Sequence, residues 1–342
     1  MGVIIYGSGS TAKKVIGKLK ILDKMKIICC LDSNIEKQGS DCLGYLVDHS
    51  DNIKNYQFDK ILIASVYSEE IKEKLIKLYG VEAEKIIVDG NDFTTKEVLK
   101  QEYGKHYKKE EKERTLLKEN KIVIYTAIFG NYDELKEPEF IDKEADYICF
   151  TDNKNLKSST WSIITIDAMY EDDPLRKAKI YKILPHKYLP EYNWSIWVDA
   201  SVRIKKSLVQ LLFNQVGKEN CLFIIHGIRI CAYEEAKVCM EGKLDSVSTI
   251  ERQMNEYKKN GFPKDFGLIA CGLLWRNHND KEVIELMEQW WSEIERGSRR
   301  DQLSLPYCLW KSKFKFDYMD INLYNNSYFE VEKHNISRRL YL

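Results

Sequence analysis

The sequence predicts an α/β protein of two domains, each built on a parallel sheet, and three observations carry that prediction. Short apolar runs alternate with helical patterns from Val3 to Val88 and again from Ile122 onward, the alternation that wraps helices around a mainly parallel sheet. The chain has 342 residues, more than one ordinary hydrophobic core holds. Between the two alternating regions lies a charged, helix-forming tract without a strand pattern. The expected boundaries are 1–91 for the first domain, 92–120 for a helical linker and 121–342 for the second domain.

Composition narrows the partners. Charged residues make up 31% of the chain, yet Lys+Arg and Asp+Glu are equal at 53 each, so no global basic field draws it to nucleic acid. No apolar run approaches the ~20 residues of a membrane span, and the first residues lead directly into a strand pattern rather than a signal peptide. Nine cysteines, an odd number without paired Cys-x-x-Cys spacing, suit a reducing compartment better than a disulfide framework. The expected location is the cytoplasm, with a peripheral position at the inner membrane face left open. Cys29 and Cys30 are adjacent on an apolar run, so they should point to opposite faces of a strand as core thiols.

In the first domain, the run Val3–Tyr6 leads into the turn Gly7-Ser8-Gly9-Ser10-Thr11-Ala12, and a helix follows to Leu22 with Val15, Ile16 and Leu19 inward. A second strand, Ile27–Leu31, ends in Asp32. Gly7 and Gly9 would let backbone amides approach a phosphate at a helix N-terminus, and Asp32 is placed to accept ribose hydroxyls. The expected ligand is a nucleotide or NAD. A further strand within Phe58–Ser65, a helix Ser68–Leu78 with Ile71, Leu75 and Ile76 inward, and a strand Lys85–Val88 complete the pattern. The pieces YGSGSTA, LDSNIEKQGSDCLGY and FDKILIAS resemble the N-terminal Rossmann-like domain of PglD-type sugar acetyltransferases. That resemblance implies a nucleotide-sugar site; a ligand-free docking module that pairs subunits is the alternative.

The linker carries both signs of charge at close spacing, as in Lys108-Lys109-Glu110-Glu111-Lys112, which fits a solvated helix better than a basic binding patch.

In the second domain, a strand leading into a loop is expected over Ile122–Asp133, and further strands at Ala145–Asp152, Trp161–Ile166 and Ser195–Val198. The last ends abruptly in Asp199-Ala200-Ser201. A carboxylate at the carboxyl edge of an open α/β sheet sits where such sheets bind ligands, and it can hold a divalent metal that in turn holds a diphosphate; an Asp that merely starts a turn is the alternative. Thr126 and Asp152 belong to neighbouring strand ends and are candidates for the same edge. Asp173-Pro174 opens a helix, with Asp as N-cap and Pro in the first turn. At ~100° per residue, Arg176, Lys179 and Lys182 fall on one side of it, a stripe suited to phosphate or simply to solvent. Ile180, Ile183 and Leu184 fall on the core side. A strand ending near His226 and Arg229 precedes a helix opened by Glu234 and Glu235, of which at most one can face a site. A buried strand Gly267–Arg276, an amphipathic helix Val283–Ile294 with Trp290 and Trp291, and a helix opened by Asp301-Gln302 follow.

Six ordered pieces of this domain, YTAIFGNYDEL, YICFTD, DPLRKAKIYKILPH, WSIWVDASVRI, HGIRICAYEEA and RRDQLSLPY, resemble the glycosyltransferase-like domain of the TOD/MUCI type. That domain is similar to nucleotide-sugar-dependent transferases of the GT-A fold, including the glycogenin-like group. The resemblance implies a GT-A-like fold, a nucleoside diphosphate sugar as donor and a glycan, lipid-linked or other hydroxyl as acceptor, in surface polysaccharide or glycoconjugate assembly. It also puts Asp199 at the metal-binding Asp-x-Asp position, with Mn²⁺ or Mg²⁺ as the expected ion. Here that motif reads Asp199-Ala200-Ser201, without its second carboxylate. By the same resemblance His334, or else His226, completes the metal site, Asp301 and Gln302 lie beside the transferring sugar, and Asp301, Glu234 or Glu235 supplies a general base if the reaction inverts. Two readings compete: an oxidoreductase working through Gly7, Gly9 and Asp32, and a non-catalytic sugar-nucleotide sensor.

Overall fold

The computed structural model describes residues 2–22, 26–65, 67–88, 121–167, 173–215, 219–264, 266–319, 321 and 323–332. Two compact units emerge, one on the N-terminal strands and one on the strands from Ile122 onward. The expected linker helix and His334 lie outside the described residues.

The first unit is built from β1 (Gly2–Tyr6), α1 (Ser10–Leu22), β2 (Lys26–Asp32), β3 (Asp41–Cys42), β4 (Tyr45–His49), β5 (Lys60–Ile63), α2 (Ser68–Lys77) and β6 (Ile86–Val88). The sheet order is β3-β4-β2-β1-β5-β6, parallel apart from the β3–β4 hairpin. One face packs Val3, Ile5 and Cys30 against Ala12, Val15, Ile16 and Leu19 of α1. The other packs Ile4, Tyr6 and Cys29 against Leu75 and Ile71 of α2, so the two adjacent cysteines do part to opposite faces. One expectation needs correction. Ile76 is 39% exposed rather than inward, because Ile71 and Leu75, four apart, already fill the one face a short helix can bury. The β3–β4 hairpin was not legible, since β3 is two residues long and the apolar part of β4 stops at three, Tyr45-Leu46-Val47.

The second unit contains β7 (Ile122–Ile128), β8 (Ala145–Thr151), β9 (Ser162–Thr165), α3 (Pro174–Ile183), α4 (Pro185–Tyr188), β10 (Trp194–Val198), β11 (Val202–Ile204), α5 (Leu208–Gln215), β12 (Cys221–Ile225), α6 (Ala232–Glu241), α7 (Val247–Lys259), β13 (Ile269–Asn277), α8 (Lys281–Arg296), α9 (Asp301–Ser312), β14 (Asp317–Met319) and β15 (Phe329–Val331). Its main sheet runs β14-β12-β13-β10-β7-β8-β9, and β13 is antiparallel to both its neighbours. β11 and β15 form a small separate ribbon. One face of the main sheet buries Ile124, Ile196 and Trp275 against Leu208, Leu211 and Leu212 of α5. Trp290 is fully buried and donates from Nε1 to Ser304 Oγ at 3.1 Å, which makes the tryptophan pair of α8 packing rather than a sugar platform.

Strand order locates the crevice. β7 lies between β8 and β10, so the chain fills one side of β7 and then crosses to the other. Such a reversal leaves an opening at the carboxyl ends of the two central strands, the usual ligand position in open α/β sheets. All nine cysteines are free and buried. Among the described residues, no helix is long and apolar enough to cross a membrane.

Candidate functional site

Side-chain alternation along β10 places the central residues. Trp197 and Asp199 are two apart, so both project to the sheet face opposite Ile196 and Val198. Trp197 Nε1 donates to Asp199 Oδ1 at 2.6 Å, fixing the carboxylate just beyond the strand end. α3 supplies the cation. Asp173 caps it by accepting from Arg176 N at 3.0 Å, and Pro174 occupies the first turn. Lys182, near its other end, is completely buried; its Nζ lies 3.0 Å from Asp199 Oδ1 and 2.6 Å from Asp301 Oδ2. It also sits over the Trp197 ring, 5.3 Å from the centroid. Lys179, one turn earlier, reaches the same Asp301 oxygen at 2.6 Å and keeps 22% of its side chain exposed.

Asp301 opens α9, where the helix dipole favours a carboxylate, and its Oδ1 accepts from Gln302 N at 3.1 Å. Burial alone would raise its pKa, but Lys179, Lys182 and Arg300 outweigh that and hold the carboxyl far below the usual carboxylate range. Lys182 shows the reverse balance: burial opposes its charge, and Asp199 and Asp301 together lift its pKa above the ordinary lysine value. For Lys179 burial wins, and its pKa is lowered despite Asp301. The result is a chain of alternating charge, Lys179–Asp301–Lys182–Asp199, whose outer end is Asp199 with 37% of its side chain exposed.

Gly272 shapes that outer end. β13 carries an irregularity opposite Phe223 and Ile224, and there Gly272 O accepts from Asp199 N at 2.9 Å. A Cβ on Gly272 would stand 3.7 Å from Asp199 Oδ2, so the glycine keeps that oxygen uncrowded. Sequence reasoning missed Gly272, although a glycine inside a buried strand is the signal for a bulge or a close approach.

The other expected residues scatter around this centre. Asp152 follows β8 on the same sheet edge and accepts from Gly130 N with both oxygens, at 3.1 and 3.0 Å. Gly130 has φ +62°, and a Cβ there would press on Pro174 at 2.9 Å, so Asp152 secures the turn that runs beneath the start of α3. Thr126 is buried within β7, and among the described residues its hydroxyl has no hydrogen-bond partner. His226 is buried directly after β12, its N–H donating to Leu268 O at 2.8 Å. Arg229 lies beyond the strand that was to deliver it, in the segment Gly227–Ile230 that clusters with the first unit. Glu234 is exposed and Glu235 buried, the divergence expected of neighbours on a helix. Glu235, with Asp301 and Cys239, holds Arg300 charged against its burial.

Arg176 corrects the expected stripe. Its guanidinium turns away from Lys179 and Lys182 to pair with Asp173 Oδ2 at 3.2 Å and to cap carbonyls at the end of α8, including Ile294 O and Gly297 O. A bare helix C-terminus close by offers an Arg fork several acceptors.

The donor set around Asp199 does not fit a divalent cation. Oδ1 already receives Lys182 and Trp197, and position 201 offers a 6% exposed Ser in place of a carboxylate. Among the described residues, no three His, Cys, Asp or Glu side chains converge on a metal position.

In the first unit, a cleft of about 570 Å³ opens where β1 and β5 meet the turn after β1, lined by Gly7, Ser8, Gly9, Thr11, Asp32 and Lys37 among others. Asp32 accepts from Ser8 Oγ at 2.5 Å, Lys37 Nζ at 3.0 Å and Asn34 N at 3.0 Å. Burial would raise its pKa, and these donors bring it below the usual range.

Comparison with known proteins follows this division. Residues 1–87 match the family model "C2185-like, N-terminal", a different family from the PglD-type domain expected above. Residues 92–337 match the model "TOD1/MUCI70, glycosyltransferase-like domain". The chain is 25% identical to the Probable hexosyltransferase MUCI70 of Arabidopsis thaliana, over 54% of this chain and 36% of that protein. It is 22% identical to the Alkaline ceramidase TOD1 of Arabidopsis thaliana, over 64% of this chain and 54% of that one. The chain thus spans about a third and about half of the lengths of these relatives. A crystal structure of UDP-D-quinovosamine 4-dehydrogenase from Vibrio fischeri aligns at a TM-score of 0.21 and 24% identity, covering 25% of this chain and 74% of that one. With its family model covering most of the sequence, the chain belongs to the TOD1/MUCI70 glycosyltransferase-like domain family.

Proposed function

We propose that the second unit transfers a hexosyl or related sugar from a nucleoside diphosphate donor to an acceptor hydroxyl. The observation that carries this reading is the Lys179–Asp301–Lys182–Asp199 chain at the carboxyl edge beside the β7/β10 reversal, within a domain whose family is glycosyltransferase-like. In the reaction, the bond from the anomeric carbon to the diphosphate breaks with its electron pair leaving on phosphate oxygen. The acceptor oxygen bonds to that carbon, and its proton passes to a base or to the departing diphosphate.

The leaving group develops negative charge, which a preorganised cation stabilises by several kcal/mol in a dry site. Lys179, whose side chain is partly exposed, is the cation on α3 that can meet it. Asp301, held so strongly in its charged form, is a weak base and is assigned to orientation. Asp199 presents its outer oxygen to hydroxyl groups of the donor, and Asp152 orders the turn at the nucleoside end of the crevice. The acceptor class is a glycan, a lipid-linked sugar or another hydroxyl compound, in surface polysaccharide or glycoconjugate assembly.

The test is nucleoside diphosphate release from a panel of UDP-, GDP-, CDP- and dTDP-sugars, using the full chain with mixed acceptors. Asp199→Asn should lower turnover at least about a hundredfold in a protein that still folds, as read by a cooperative melt. Equal rates in the two proteins would sink the assignment of Asp199. The similarity to an alkaline ceramidase supports a second reading, amide hydrolysis of ceramide. That chemistry needs an activated nucleophile or a metal-bound water, and release of sphingosine from ceramide under the same conditions, without nucleotide-sugar turnover, would select it.

A further inference from the structure

Two carboxylates that approach one point from different elements usually share a cation. Here Asp199, at the end of β10, and Asp301, at the start of α9, each aim an oxygen at the same position, and Lys182 Nζ occupies it at 3.0 and 2.6 Å. A divalent ion bridging these oxygens would stand ~2.0–2.6 Å from each, within the volume the ammonium already fills. Lys182 is fully buried, over the Trp197 ring, and Asp199 and Asp301 together hold its ammonium charged, so a metal could take these oxygens only by leaving that buried ammonium without its partners. Uncompensated buried charge is strongly unfavourable, so the ammonium and a metal exclude each other.

We infer that Lys182 stands in the place of a divalent cation between Asp199 and Asp301, and that the site engages a nucleoside diphosphate without a metal. The inference rests on the transferase reading only for its second half; the first half concerns cation binding by the protein alone. Lys182 neutralises Asp199 from within, so Asp199 Oδ2, which Gly272 leaves uncrowded, serves as a hydroxyl acceptor rather than a metal ligand. Lys179, sharing Asp301 and open to solvent on one side, is the cation left for the diphosphate.

The experiment titrates Mn²⁺ alone into the metal-stripped full chain, following free Mn²⁺ by electron paramagnetic resonance, for wild type, Lys182→Ala and Lys182→Arg. Wild type and Lys182→Arg, which retains the charge, should show no saturable Mn²⁺ binding. Lys182→Ala vacates the position between the carboxylates and should gain a saturable site. Saturable binding to wild type, or a folded Lys182→Ala that gains nothing, overturns the inference. If Lys182→Ala does not fold, the wild-type titration decides, joined by melting of the wild type with nucleoside diphosphates in EDTA and in Mn²⁺. Stabilisation that is equal in both supports metal-free engagement, and stabilisation only with Mn²⁺ overturns it. Absence of sugar transfer with every donor would count against the transferase reading and leave the Mn²⁺ result standing.

Discussion

The two units place a crevice by the same rule and furnish it differently. In each, a central strand, β1 or β7, is flanked by strands added in opposite directions, and the turn after that strand begins the opening. The first crevice is edged by the turn around Gly7 and Gly9, and Asp32 on its wall is satisfied by Ser8, Asn34 and Lys37. The second is walled by charges brought from distant parts of the chain, 122 residues apart in the case of Lys179 and Asp301. Topology decides where a ligand can enter, whereas side chains decide what happens to it. An open, glycine-edged cleft suits binding, and a buried train of charges suits reaction.

Removing a charge from the second crevice should have the largest effect. Asp301→Asn removes the carboxylate that pairs with Lys179 and leaves Lys182 with Asp199, so equilibrium unfolding in urea should show a loss of about 3–5 kcal/mol, the scale for breaking a buried pair. The sign with pH follows from the lowered pKa of Asp301. Its contribution is complete above the unfolded value, near ~3.9, and is lost as pH falls below that toward the folded value. Asp301→Asn should therefore flatten the acid side of the stability profile; an unchanged acid slope would contradict the buried pairing.

Gly7→Ala comes next. Gly7 has φ +119°, and a Cβ would meet Ala64 O at 2.6 Å, so a destabilisation of about 1–3 kcal/mol is expected, read from thermal melting. Gly272→Ala should do less to the fold and more to the reaction. Its Cβ makes only ordinary contact with Asp199 Oδ2, so melting should hold while the donor KM rises about threefold, as the added methyl narrows the approach to that oxygen. The smallest effect belongs to Gly9→Ala. Nothing lies within 4 Å of its added Cβ, and stability should change by less than about 0.5 kcal/mol. If Gly9→Ala melts as low as Gly7→Ala, both glycines serve folding, and the first cleft loses the sign that space is being kept for something else.

Much of this arrangement was legible in the sequence. Buried strands announced themselves as apolar runs, so β1, β8 and β10 fell within a residue or two of expectation, and Asp199 stood out as an acid closing one of them. The helix cap at Asp173 and Pro174 was equally readable, because its signal is local. What escaped depended on partners far along the chain. Arg176, Lys179 and Lys182 form one stripe by periodicity, yet Arg176 is drawn to the end of α8 while the two lysines converge on Asp301. Periodicity gives the direction of a side chain and cannot give the identity of the element that faces it. Gly272 escaped for a similar reason, since its meaning lies in a carboxylate on the adjacent strand.

The cysteines have a practical consequence. All nine are buried as free thiols, with Cys29, Cys30 and Cys42 in the first unit and Cys149, Cys221, Cys231, Cys239, Cys271 and Cys308 in the second. A thiol reacts as the exposed thiolate, so a mass-tagged alkylating reagent reaches each one only when its surroundings open. The chain thus carries a natural set of opening reporters, and peptide-resolved labelling rates would time the breathing of each sheet separately, without an engineered probe.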